Sequence, residues 1–150
     1  MGRDYDRNRQ RGGGRRPRGG QSPTAGEAYF DPQQPRTRLV DELAEKQADA
    51  LQDITSSQLR RFFGEVKELY RRLTTNQDYR TRIEPQFKML RSKAYYATRS
   101  GGGQQRISGE FCKFVENAVQ KVQSEEDFRK FVEHFEAVVG FLYGKSLVRG

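Results

Sequence analysis

The chain has little of what most enzymes use. Its 150 residues contain one cysteine and one histidine. A lone cysteine excludes an internal disulfide and suits a reducing compartment. A lone histidine, His134, with no second His or Cys at ligand spacing, leaves no zinc site, which needs three or four such ligands. A Cys112–His134 nucleophilic pair is conceivable, but Cys112 falls near the core face of its helix, where a thiol is buried and inert. Gly101–Gly103 is not followed by the Gly-Lys-Ser/Thr of a phosphate loop, so we read it as a turn. Glu125 and Glu126 sit in the first turn of a helix, where they complement the macrodipole. No catalytic residue, metal or cofactor is expected. No apolar run approaches the roughly 18 residues of a membrane span. The Arg/Gly-rich start has no apolar segment and does not read as a secretory signal, so the expected compartment is the cytoplasm.

Acid is scarce in one place in particular. Between Arg60 and Arg99 there are eleven Lys/Arg against four Asp/Glu, a net of +7 in a chain whose total is +8. Residues 1–20 add seven arginines against Asp4 and Asp6. That stretch is rich in Gly, has nothing to bury, and continues into a neutral linker with Pro23, Pro32 and Pro35. Residues 1–36 are therefore expected to be a disordered basic arm and linker, and residues 37–150 a single folded domain. The arm can add unspecific attraction to nucleic acid, or serve only as a solubilising tail.

The folded part shows helical periodicity and no strand alternation. A first helix is expected over about Arg38–Asp53, with a thin stripe of Leu39, Leu43 and Leu51 and an acidic balance. Thr55-Ser56-Ser57-Gln58 forms a capping box that opens a second helix to about Leu73. Its Leu59, Phe62, Phe63, Val66, Leu69, Tyr70 and Leu73 share about 120° of arc. A third helix runs from about Ile83 to Arg99, with Pro85 in its first turn and a seam of Ile83, Phe87, Leu90, Ala94 and Ala97. A fourth covers about 109–122. Ser124, with Asp127 three residues on, starts a fifth whose Phe128, Phe131, Phe135, Val138 and Leu142 point inward. The fold class is all-α, one compact bundle of four or five helices.

The basic residues lie on helix flanks. On the second helix, Arg61–Glu65 and Glu68–Arg72 are spaced to neutralise each other. The opposite flank carries Arg60, Lys67 and Arg71 within about 40°, with Gly64 opening room for a close approach. Glu68 also reaches toward Arg71. On the third helix Lys88, Arg91, Tyr95 and Arg99 lie within about 80°, and Tyr95 offers a ring for a base to stack on. Lys93 points to the far side of that wheel. Arg60, Lys67, Lys88, Arg91 and Arg99 are expected to merge into one positive surface across the two helices. With no helix-turn-helix, zinc finger or RNP motif, the contact would be to backbone and shape. A solvated basic face with no ligand is the plain alternative.

Three blocks resemble a known family. Thr55-Ser56-Ser57-Gln58-Leu59-Arg60-Arg61-Phe62-Phe63 resembles the T-S-Q-L/I-R-K-F opening of the small subunit of the type III-A CRISPR effector, the Csm complex. Phe87-Lys88-Met89-Leu90-Arg91-Ser92-Lys93-Ala94-Tyr95-Tyr96-Ala97-Thr98-Arg99 resembles its L-K-x-L-K-x-K-L-A-Y-x-A-x-R block. Phe128-x-x-Phe131-x-x-x-Phe135-Glu136-Ala137-Val138-Val139 resembles its C-terminal block, with Gly140-Phe141 departing from the family's ending. The blocks occur in the family's order. The resemblance implies a non-catalytic helical subunit stacked along the guide RNA–target RNA duplex, in copies, beside the backbone and large subunits. It places Arg60, Lys88, Lys93 and Arg99 at motif positions, and for Lys93 it is the sole support. Two other readings stay open: a stand-alone RNA-binding protein that uses its Arg/Gly arm, and a protein-only scaffold whose basic face docks an acidic patch.

Overall fold

A computed structural model describes residues 29–99 and 107–150. Among the described residues six α-helices follow one another: α1 (Arg36–Leu39), α2 (Glu42–Ala50), α3 (Ser56–Thr74), α4 (Glu84–Ala97), α5 (Gly109–Lys121) and α6 (Glu125–Gly144). A single π-turn, Tyr79–Ile83, leads directly into α4. Among the described residues there is no strand. One isolated bridge pairs Thr55 with Arg149, where the C-terminal tail lies along the α2–α3 connection. The all-α bundle is as expected.

Local signals set the helix starts. The capping box of α3 is formed: Gln58 N–H donates to Thr55 Oγ1 at 3.2 Å, and Thr55 N–H to Gln58 Oε1 at 3.4 Å. Ser108 Oγ accepts from Phe111 N–H at 3.2 Å and Ser124 Oγ from Asp127 N–H at 3.1 Å, starting α5 and α6. Each such cap satisfies a donor that the first turn leaves orphaned.

Three expectations need correction. The single first helix is two, broken at Val40–Asp41. A continuous helix would need the Leu39 carbonyl for its own ladder. Here His134 Nδ1 donates to that carbonyl across 2.7 Å, and Asp41 leaves helical geometry at φ −124°. The α4 segment begins a turn early. Asp78 Oδ2 accepts from Thr81 N–H at 2.9 Å, and the π-turn puts both Tyr79 and Ile83 in the core. Finally, residues 29–35 are not arm. Phe30 is 1% exposed, its ring 5.3 Å from that of Phe131. Asn117 donates to its carbonyl, and Lys130 to that of Pro32. Residues 1–28 of the expected arm, and the turn at Gly101–Gly103, lie outside the described residues.

The core is built around α6, which packs on α2 and α3 while α4 packs mainly on α5. Phe128, Phe131, Phe135, Val138 and Leu142 are all buried, as their spacing indicated. Edge-to-face ring contacts tie the layers together: Phe114 to Phe135 at 5.0 Å, Phe87 to Phe128 at 5.1 Å, Phe62 to Phe111 at 5.0 Å. Such pairs add about 0.5–1.5 kcal/mol each beyond their area burial.

Candidate nucleic-acid interface

The expected basic residues all reach the surface or its margin, but in two groups. On α3, Arg60 donates to Ser56 Oγ at 2.6 Å. Lys67 lies 3.5 Å from Glu136 of α6 and 5.7 Å from the centroid of the Phe63 ring. Arg71 holds both oxygens of Glu68, at 3.1 and 2.6 Å. Through Lys67, this flank meets α6.

The α4 group borders α5. Lys88 Nζ donates to the Val119 carbonyl at 2.9 Å, in the last turn of α5, where a cation complements the helix dipole. Arg91 and Tyr95 converge on Glu116 of α5, with donor–acceptor distances of 3.1 Å each. The Arg91 guanidinium lies 5.3 Å from the Tyr95 ring centroid. The hydrogen bond to Glu116 raises the Tyr95 hydroxyl above its ordinary pKa and holds Arg91 more firmly charged. Arg99 lies over the Tyr96 ring at 5.0 Å.

The two groups thus sit on opposite edges of the α3–α4 pair, and the single surface expected from Arg60, Lys67, Lys88, Arg91 and Arg99 does not form. A helical wheel places a residue relative to its own core face. It does not say which neighbour lies on which flank. Between α3 and α4 runs a groove of about 290 Å³, lined by Arg61, Gly64, Glu65, Glu68, Leu69, Arg72, Gln86, Leu90 and Lys93. Lys93, which the third-helix wheel turned away from its stripe, faces α3 here and bonds Glu65 at 2.7 Å.

That bond undoes the expected Arg61–Glu65 pair. Arg61 lies instead 5.4 Å from the Phe62 ring, with no carboxylate partner among the described residues. Arg72 keeps its expected partner, Glu68, at 3.5 Å. The Arg72–Glu68 pair is a surface pair worth about 0–1 kcal/mol, so a phosphate can compete for Arg72 at little cost, whereas Lys93–Glu65 is partly buried. Gly64 stands on the groove lip, and a methyl group there would meet nothing within 4 Å.

Sequence reasoning missed two residues. Met89 is 49% and Tyr96 67% exposed on the outer face of α4. They are seven apart and off the seam, a spacing that was there to be read. Tyr95, chosen for stacking, gives its hydroxyl to Glu116 and one ring face to Arg91.

The two side chains of the conceivable nucleophilic pair, His134 and Cys112, are both buried. His134 is fully buried, and burial pushes its imidazole down to about 4 against the opposing effect of the Leu39 hydrogen bond. Its Nε2 is buried with no hydrogen-bond partner among the described residues. Cys112 is buried and its thiol is raised, first by desolvation and then by Glu116, the reverse of nucleophile activation. Among the described residues no cluster of three His, Cys, Asp or Glu is placed to hold a metal, and no helix is long and apolar enough to cross a membrane.

A family model described as Csm2 Type III-A matches residues 34–145. No curated protein and no solved structure matches the chain.

Proposed function

The chain belongs to the Csm2 Type III-A family and is thereby a small subunit of the type III-A Csm complex, and from that premise we propose that it binds RNA without catalysing a reaction on it. Its basic helix faces run along the guide RNA–target RNA duplex within the complex, beside the backbone and large subunits and further copies of itself. The observation that carries this reading is α4. From Pro85 to Arg99 there is no Asp or Glu, against Lys88, Arg91, Lys93 and Arg99. The acids that reach this helix from its neighbours, Glu65 and Glu116, are partly buried and each is shared with a cation, while Lys88 and Arg99 bond no carboxylate among the described residues. The α3 edge, with Arg60, Lys67 and Arg71, is a second basic margin. Two margins with a groove between them suit a surface read by shape and charge.

The test is the salt dependence of RNA binding by the full chain. For every phosphate that the protein no longer neutralises, the log–log slope should become shallower by about 0.7 on single strands or about 0.9 on duplex. Replacing Lys88, Arg91 and Arg99 together should weaken binding broadly across sequences and flatten that slope. Replacing Arg60, Lys67 and Arg71 together measures the α3 margin in the same way. A chain that binds no RNA at low salt, yet co-purifies with the other subunits, is a protein-only scaffold, and the reading is then wrong. Recovery with a short guide RNA and several larger subunits separates the complex from a stand-alone RNA-binding protein.

A further inference from the structure

On the outer face of α4, Met89 is half exposed and Tyr96 two-thirds exposed, one helical heptad apart. Together they offer a ligand apolar and aromatic area to desolvate on one helix face. Ser92 stands between them, four residues before Tyr96, and Arg99 three residues after. The Arg99 guanidinium, 5.0 Å from the Tyr96 ring centroid, has no carboxylate partner among the described residues. The face is thus cationic at its Arg99 edge and apolar and aromatic along its middle, and α4 itself contributes no Asp or Glu to it after Glu84. A protein partner would meet an apolar line fringed by one charge sign. An RNA strand offers phosphates for the cations and flat faces for the ring.

We propose that the Met89–Tyr96 line of α4 is a stacking platform for an unpaired nucleotide of bound RNA, with the base on the Tyr96 ring and Arg99 placed to meet its phosphate. This rests on the RNA-binding reading above and narrows it. The basic margins hold backbone whether strands are paired or not. The platform takes only a base that has left its stack, because a paired base has both faces occupied. Each ring carries a guanidinium on one face, but Tyr96 is 67% exposed against 48% for Tyr95, whose hydroxyl Glu116 also holds, so Tyr96 is the stacking ring and the base takes the face opposite Arg99.

The experiment uses the full chain and short oligouridine carrying one 5-iodouridine, with a blunt RNA duplex as comparison. Irradiation should crosslink the single strand to Tyr96. Tyr96→Leu should lose that crosslink and weaken single-strand binding about tenfold, within the roughly 5- to 150-fold range of one base–aromatic stack. Its salt slope and thermal midpoint should stay those of the parent. Tyr96→Phe should bind as the parent does, and duplex affinity should be the same for the parent and both variants. If Tyr96→Leu binds the single strand as tightly as the parent, the platform is wrong while the RNA reading stands. If the parent chain binds neither RNA, both fail together. If Tyr96→Leu keeps its RNA affinity but no longer co-purifies with the larger subunits, the line is a protein contact and the proposal is overturned.

Discussion

Lowering the pH should destabilise this domain through a single imidazole. His134 is fully buried, with the rings of Phe30 and Phe114 5.4 and 6.2 Å away, centroid to centroid. Its Nδ1–H is spent on the Leu39 carbonyl. The neutral form fits this site. The cation would carry a second N–H, at Nε2, with no acceptor to meet it. Its folded pKa is accordingly about 4, against an ordinary 6.5. Between those values the unfolded chain binds a proton that the folded chain refuses, so stability rises with pH there. The contribution is fully present above 6.5 and is lost as the pH falls toward 4. At about 1.4 kcal/mol per unit the whole window is worth ~3 kcal/mol. Urea unfolding of the parent and of His134→Gln from about pH 7.5 to about 4.5 isolates it, since the carboxylates titrate in both. Glutamine keeps a donor for Leu39 and has no proton to gain. The parent should lose about 2–3 kcal/mol more than the variant over that range. A constant difference between the two at every pH would show that the imidazole protonates as readily folded as unfolded, and the buried neutral site would be refuted.

Gly64→Ala should raise stability by about 1 kcal/mol, because an interior helix glycine is replaced where a methyl has open space. If RNA backbone approaches the lip of the groove there, the same variant should bind RNA more weakly, and unchanged affinity with raised stability would remove Gly64 from the interface. Phe135→Ala, at a ring packed edge-on against Phe63 and Phe114, should cost about 3–5 kcal/mol in urea unfolding; a loss under about 1 kcal/mol would mean that the site collapses without a cavity. Phe30→Ala should also destabilise by a few kcal/mol, and an unmoved midpoint would return residues 29–35 to the arm.

Much of the bundle was legible because its signals are local. The Thr55 box, the Ser124 start and the Phe128–Leu142 spacing each need only a few residues of chain to act. What escaped depends on partners far along the chain. Phe30 sits among prolines and polar residues, with no periodicity of its own. It is buried because α5 and α6 offer its carbonyl a donor and its ring two neighbours. The break after Leu39 is decided by an imidazole 95 residues away. The π-turn adds one residue per turn before α4, an offset that regular 3.6-residue periodicity cannot register. At the candidate interface the individual cations were all identifiable, since each lies off its core seam. Their grouping was not. Whether the Lys67 flank meets α4 or α6 depends on packing order, and so does the choice between Arg61 and Lys93 as the partner of Glu65. Tyr95 and Tyr96 differ in sequence only by position, and Glu116 of another helix distinguishes them.

The placement of α6 also governs how the molecule comes off the ribosome. Phe30 waits for Phe131, Leu39 for His134, and Arg36 for Glu133, to which it bonds at 2.9 Å. At translation rates of about 5–20 residues per second, the N-terminal segment is out of the tunnel for roughly 5–20 s before the helix that anchors it exists. The rings of α3, α4 and α5 share that exposure, because the surface that covers them is made last. Until α6 emerges, the nascent chain exposes the apolar surface that makes folding intermediates prone to aggregate. A chain ending before Phe128 lacks the helix that supplies Phe128, Phe131, Phe135, Val138 and Leu142 to the core.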